Sequence, residues 1–154
     1  MEKEITDIYG SRVRVRVCGL CWKEEKLLMV RHKALKTDGF WAPPGGGIDF
    51  NQTIEETLQR EFIEETGLSV RLGVFRFGCE FIQSPLHAIE LFYNTDQSEG
   101  SIRNGYDPEI QLIEEVKFLS PEELKTIPKD NLHRIFHNHQ TKMEIEKLSG
   151  FYRI

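Results

Sequence analysis

Residues 12–17 read Arg-Val-Arg-Val-Arg-Val, a strict alternation of charged and apolar positions with the period of a strand. A charged turn at Lys23-Glu24-Glu25-Lys26 and a second apolar run, Leu27-Leu28-Met29-Val30, complete the pattern of a hairpin. Residues 33–49 hold two prolines and four of the chain's twelve glycines, which predicts a loop. Residues 54–66 then take on helical periodicity. Thr53 is placed as an N-cap, Glu56 three positions later completes a capping box, and Gly67 stands where a left-handed residue ends a helix. Strand-like runs follow at residues 69–82 and 87–94, then a polar loop at 95–108 and a last strand at 115–119. Ser120 and Pro121 open a short helix. Residues 130–148 are helix-like and amphipathic. No internal repeat or low-complexity segment interrupts this, so one α+β domain over residues 1–154 is expected.

The helix at 54–66 carries the first chemical signal. Taking Ile54 as the origin and about 100° per residue, Leu58 and Phe62 fall at about 40° and 80° and form an apolar stripe. Glu65 lands at about 20°, inside that stripe, with Glu61 and Glu64 beside it at about 340° and 280°. Three carboxylates therefore stack on one edge, and one of them points into the apolar face. Residues 48–69 contain six acidic side chains and a single base, Arg60. One guanidinium cannot neutralise three glutamates, and oxygen-only donors favour a hard divalent cation, Mg²⁺ or Mn²⁺. The plainer alternative is a solvated acidic face. That suits Glu55 and Glu56 but not Glu65, and Ile63, opposite the stripe, points to a helix covered on two sides. Just ahead lies Pro43-Pro44-Gly45-Gly46-Gly47, a run that lets backbone approach a ligand closely.

Composition narrows the partners. With 39% hydrophobic and 29% charged residues in 154, the chain can bury a continuous core. A net charge of −5 argues against nucleic acid as a partner. No run of 18 apolar residues exists, and Met1-Glu2-Lys3-Glu4 opens no signal peptide, so no membrane association is expected. Three cysteines, at 18, 21 and 79, fit a reducing, cytoplasmic setting. Cys18 and Cys21 have metal-ligand spacing, but no second pair completes a tetrahedral site, and a strand-core role is expected.

Taken together, residues 46–68 resemble the Nudix box, G-x5-E-x7-R-E-U-x-E-E-x-G-U, of the MutT-like Nudix hydrolase family. Gly46, Arg60, Glu61, Glu64, Glu65, Gly67 and Leu68 occupy its fixed positions, and Phe62 fills an aliphatic one. Gln52 stands where the box has its first glutamate, keeping a hydrogen-bonding shape without the charge. The resemblance implies an α/β/α sandwich with a mixed central sheet. It also implies Mg²⁺-dependent hydrolysis of the pyrophosphate linkage of a nucleoside diphosphate derivative, with a small nucleotide as partner and a homodimer left open.

The same resemblance assigns roles to residues. Glu61 and Glu65 are expected as metal ligands, with Glu64 a further ligand or partner and a backbone carbonyl at Gly45 or Gly46 as another donor. Arg60 is expected to orient the glutamates. The general base is sought among Glu80, Glu109, Glu114 and Glu115, with Glu109 favoured because it precedes the last strand. Arg14 and Arg16 are candidates for phosphate contact, although alternation with the valines gives the plainer expectation that they mark a solvent face. Trp41, Phe40 and Phe50 are candidates for base stacking, against a simpler packing role. The five histidines fall outside the box and receive no role. A nucleoside triphosphate and ADP-ribose remain balanced as substrates, Pro85 being a loose match to the latter. A non-catalytic nucleotide sensor, suggested by Gln52, is the alternative.

Overall fold

The structure, a computed structural model, describes residues 2–33, 38–103 and 113–154. A helix α1 (Glu2–Tyr9) leads into β1 (Val13–Leu20), β2 (Trp22–Lys23), β3 (Lys26–His32), β4 (Phe40–Ala42) and β5 (Gly45–Gly47). The helix α2 (Ile54–Thr66) follows, then β6 (Ser69–Gln83), β7 (Leu86–Glu99) and β8 (Ile113–Leu119). The chain closes with α3 (Pro121–Thr126), α4 (Lys142–Glu146) and β9 (Phe151–Arg153). One sheet runs β5-β1-β7-β6-β9 and is mixed, because β1/β7 and β6/β9 pair parallel while β1/β5 and β6/β7 pair antiparallel. The second is antiparallel, with β3 bordered by β2 and β4 on one side and by β8 on the other.

Period-two alternation sends neighbouring residues to opposite faces, and this builds two cores. Val17, Leu28 and Val30 join Leu58 and Phe62 of α2. Cys18, Leu27 and Met29 join Leu124 of α3, Ile145 of α4 and the aromatic pair Phe77–Phe92. The mixed sheet with helices on both sides is the expected α+β arrangement. Cys18 and Cys21 fall in different cores, and all three cysteines are free and buried, in line with the strand-core expectation.

Four expectations change. The helix α1 was not anticipated, since eight residues carry too short a stripe to show a period. The loop expected at 33–49 contains β4 and β5. In β5, glycine is what permits pairing, because a side chain on Gly45 would strike the Cys18 Cα, 2.8 Å away, and the Val17 carbonyl. The polar run after residue 94 continues β7 to Glu99, its backbone paired with β6. The amphipathic stretch 130–148 is two single 3₁₀ turns, Lys129–Asn131 and Arg134–Phe136, followed by α4. Side chains break it: Gln140 Nε2 donates to the Phe136 and His137 carbonyls, and Thr141 caps a new helix. Among the described residues, no helix is long and apolar enough to cross a membrane.

Candidate active site

Both ends of α2 are fixed by the signals read in the sequence. Thr53 Oγ1 accepts from the Glu56 amide at 3.1 Å, and Glu56 accepts from the Thr53 amide at 2.9 Å. Gly67, at φ 81°, donates to the Phe62 and Ile63 carbonyls. Such a cap is worth roughly 1 kcal/mol. The larger contribution comes from Leu58 and Phe62, both fully buried, at about 1.5–3 kcal/mol each. Ile63 is 48% exposed, so no second layer covers it.

With the helix so anchored, its carboxylate edge faces β5. Glu65 is buried as its wheel position required, and its Oε1 accepts from the Gly45 amide at 2.8 Å. Glu61 lies against Gly46, where an added methyl would overlap its carboxylate. Arg60 Nη1 reaches Glu61 Oε1 at 3.2 Å and Glu64 Oε2 at 3.3 Å, while its Nη2 donates to Gln52 Oε1 at 3.3 Å. Gln52 thus supplies Arg60 with an oxygen acceptor.

The alternation in β1 is real, but the valine face is buried only from Val17 onward and the arginine face is not simply solvent. Val13 and Val15 are 55% and 42% exposed, whereas Arg14 and Arg16 are half-buried. Arg14 stacks over the Tyr9 ring at 4.2 Å and comes up against Gly47. Arg16 pairs with Glu90 Oε2 at 2.6 Å. The solvent-face expectation fails here because a buried carboxylate on β7 waits opposite. Burial works against the Arg16 charge, but Cys18 and the carboxylates of Glu90, Glu65 and Glu61 more than offset it and raise its pKa. Burial likewise raises Glu90, yet His133 and Arg16 outweigh it and hold that carboxyl at about 2.

Two histidines without an expected role stand here. His32 Nε2 lies 3.5 Å from Glu65 Oε2, and burial, with Arg16 nearby, lowers its pKa to about 4, so it is neutral at pH 7. His133 Nε2 meets Glu90 Oε1 at 2.7 Å. Glu90 is a lone acid between Ile89 and Leu91, and this was the available signal for it. Other candidates fall elsewhere. Trp41 is half-buried on β4, packed against the core, and its carbonyl accepts from the His133 amide. Phe40 lies 6.4 Å from His133, and Phe50 is 94% exposed. Glu80 pairs with His87, Glu114 with Arg31, and Glu115 stands opposite Arg31 on β8. Glu109 lies outside the described residues.

Among the described residues, no three His, Cys, Asp or Glu side chains are gathered as a ready metal cluster. In this arrangement Arg60 balances Glu61 and Glu64. The residues nevertheless suit a hard cation in kind and placement. The three glutamates offer carboxylate oxygens along one helix edge, against a glycine whose missing side chain leaves the Glu61 carboxylate its room.

The family described as the NUDIX domain matches residues 10–140. This chain belongs to the NUDIX family. It is 32% identical over 97 residues to a protein named ADP-ribose pyrophosphatase from Methanocaldococcus jannaschii, a match spanning 60% of this chain and 56% of that protein. The fold resembles a MutT NUDIX hydrolase from Burkholderia pseudomallei, with a TM-score of 0.68 at 20% identity over 89% of this chain and 98% of that one. It also resembles the MutT protein from Methanosarcina mazei Go1, with a TM-score of 0.67 at 20% identity over 82% and 88%.

Proposed function

We propose that this NUDIX chain hydrolyses the pyrophosphate linkage of a nucleoside diphosphate derivative with a divalent cation, Mg²⁺ or Mn²⁺, as cofactor. The observation that carries the reading is Glu65, a buried carboxylate on the Gly45 amide, flanked by Glu61 and Glu64 on the same helix edge. A solvated acidic face would not bury that group, since an uncompensated carboxylate in an apolar setting is strongly disfavoured. Glu61, Glu64 and Glu65, with a carbonyl of Gly45 or Gly46, would hold the cation. Bound there, the cation supplies charge neutralisation on the phosphates and a more acidic water.

The reaction adds water across a P–O–P bridge. The water oxygen forms a new bond to phosphorus, the bridging P–O bond breaks, and the water's proton leaves to a base or to solvent. Arg60 keeps Glu61 and Glu64 at fixed spacing, itself held by Gln52. Arg14, Arg16 and the Gly46 backbone face the phosphates, where electrostatics and positioning outweigh covalent chemistry. Glu109 stays the favoured base. ADP-ribose is the first substrate to test, because the 32%-identical relative carries that name. The sensor alternative rests on Gln52, whose amide oxygen still engages Arg60.

The test is a panel of ADP-ribose and nucleoside triphosphates with Mg²⁺ and product identification, using wild type, Glu64→Gln and Glu65→Gln. Both variants are expected to lose turnover by at least roughly a hundredfold while remaining folded, as removal of a key electrostatic group does. Full activity in both would sink the assignment.

A further inference from the structure

We propose that Glu90 and His133 are a positioning pair for Arg16, holding its guanidinium beside the glycine strand as the seat of a substrate phosphate group. The inference rests on the hydrolase reading above and names part of its phosphate subsite. Sheet register sets up the row. In the order β5-β1-β7, Arg16 is the cross-strand partner of Gly47 on one side and of Glu90 on the other. Glu90 is 4% exposed and His133 5%, whereas the Arg16 side chain is 22% exposed. The carboxylate and the imidazole are buried, and the arginine they hold is the partly exposed member of the row.

The hydrogen bonds converge on the Glu90 carboxylate. His133 Nδ1 accepts from the Ile135 amide at 3.3 Å, which leaves the ring proton on Nε2, facing Glu90 Oε1 at 2.7 Å. Rings of Phe92 and Phe136 pack on the imidazole at 5.5 and 5.7 Å and fix its plane. Glu90, held through Oε1, turns Oε2 to Arg16 Nη1 at 2.6 Å. Among the described residues, Arg16 Nε and Nη2 have no hydrogen-bond partner.

That leaves two donors of a planar fork, the geometry that matches two phosphate oxygens. Stability alone does not explain the arrangement, because an apolar set of similar volume serves a core at least as well as a buried ion pair. The carboxylates of Glu61 and Glu65 act electrostatically on Arg16, so its charge is near the proposed metal edge. A polyanion approaching that edge meets a cation already oriented.

The experiment is a double-mutant cycle on kcat/KM for ADP-ribose with Mg²⁺. Arg16→Met is expected to lower kcat/KM roughly 10- to 100-fold, mainly through KM, as loss of a charged hydrogen bond does. Glu90→Gln should lower it about tenfold in wild type and not at all in the Arg16→Met background, because its effect passes through Arg16. His133→Gln repeats the cycle should Glu90→Gln fail to fold by circular dichroism. Calorimetric titration of ADP-ribose into the Glu64→Gln protein, carrying the same changes, repeats it on affinity. Equal losses in both backgrounds would overturn the positioning pair and leave the hydrolase reading intact. Absence of wild-type turnover on ADP-ribose and on every nucleoside triphosphate of the panel would overturn the hydrolase reading, and the affinity cycle would still decide the pair. Absence of binding as well would overturn both.

Discussion

Gly46→Ala is expected to damage catalysis while leaving the fold standing, whereas the neighbouring Gly45→Ala is expected to cost stability. Gly46 is not among the glycines at positive φ, so alanine is compatible with its backbone. The added methyl would overlap the Glu61 carboxylate, with even the farther oxygen only 2.9 Å away. That obstacle is the far end of a flexible side chain with 16% of its surface exposed, and it can swing aside at little cost in stability. It would have to move by on the order of 1 Å, and misplacement of that size costs about a hundredfold in rate. At Gly45 the methyl meets main chain instead, the Val17 carbonyl and the Cys18 Cα at 2.8 Å. Only opening the β1–β5 ladder relieves this, at about 1–3 kcal/mol, the cost of overpacking a well-filled site. Denaturant melts and kcat/KM for ADP-ribose with Mg²⁺ separate the two effects. The reasoning is refuted if Gly46→Ala keeps nearly full activity, or if it loses as much stability as Gly45→Ala.

Two further outcomes follow from the site. Added Mg²⁺ should raise the thermal midpoint of the wild type and not of Glu61→Gln or Glu65→Gln. At a hundred times Kd the gain is about 2.7 kcal/mol by mass action, and an unchanged wild-type midpoint would count against the metal site. Glu90 titrates near 2 when folded, below the ordinary carboxylate value of 4.5. A depressed folded pKa contributes stability that is present above 4.5 and lost as pH falls through about 2. Stability measured by denaturant should therefore fall less steeply between those values in Glu90→Gln than in wild type, and parallel curves would refute the linkage.

How far the sequence showed the fold depended on how local each signal was. α2 is legible because its cap, stripe and terminator lie within fifteen residues, Thr53 to Gly67, and all of them act on that one helix. The edge Glu61, Glu64 and Glu65 was legible for the same reason, since helical spacing alone places it. β5 was not legible, because three glycines carry no period. Their strand character comes from pairing with β1, whose backbone leaves no room for a Cβ at Gly45. The stretch after residue 129 misled in the opposite way. Leu132, Ile135 and Phe136 are spaced as on a helix and all are buried, but His133 turns inward to Glu90 and Gln140 takes up the backbone carbonyls.

The arginines of β1 show where periodicity stops being informative. Alternation says that two faces differ; it does not say which one is inside. With valine on one face and arginine on the other, the hydrophobic effect favours burying valine. That preference is reversed only where the buried arginine finds a fixed countercharge. Glu90 is 74 residues away and becomes a neighbour only through the parallel pairing of β1 with β7. No local pattern encodes that meeting. A lone acid in one apolar strand and alternating bases in another are each unremarkable, and only their register makes them a pair. A side chain that reverses the hydrophobic preference is therefore a sharper pointer to chemistry than one that obeys it. This is why Arg16, anchored by Glu90 and still partly exposed, bears on function where Val13 and Val15 do not.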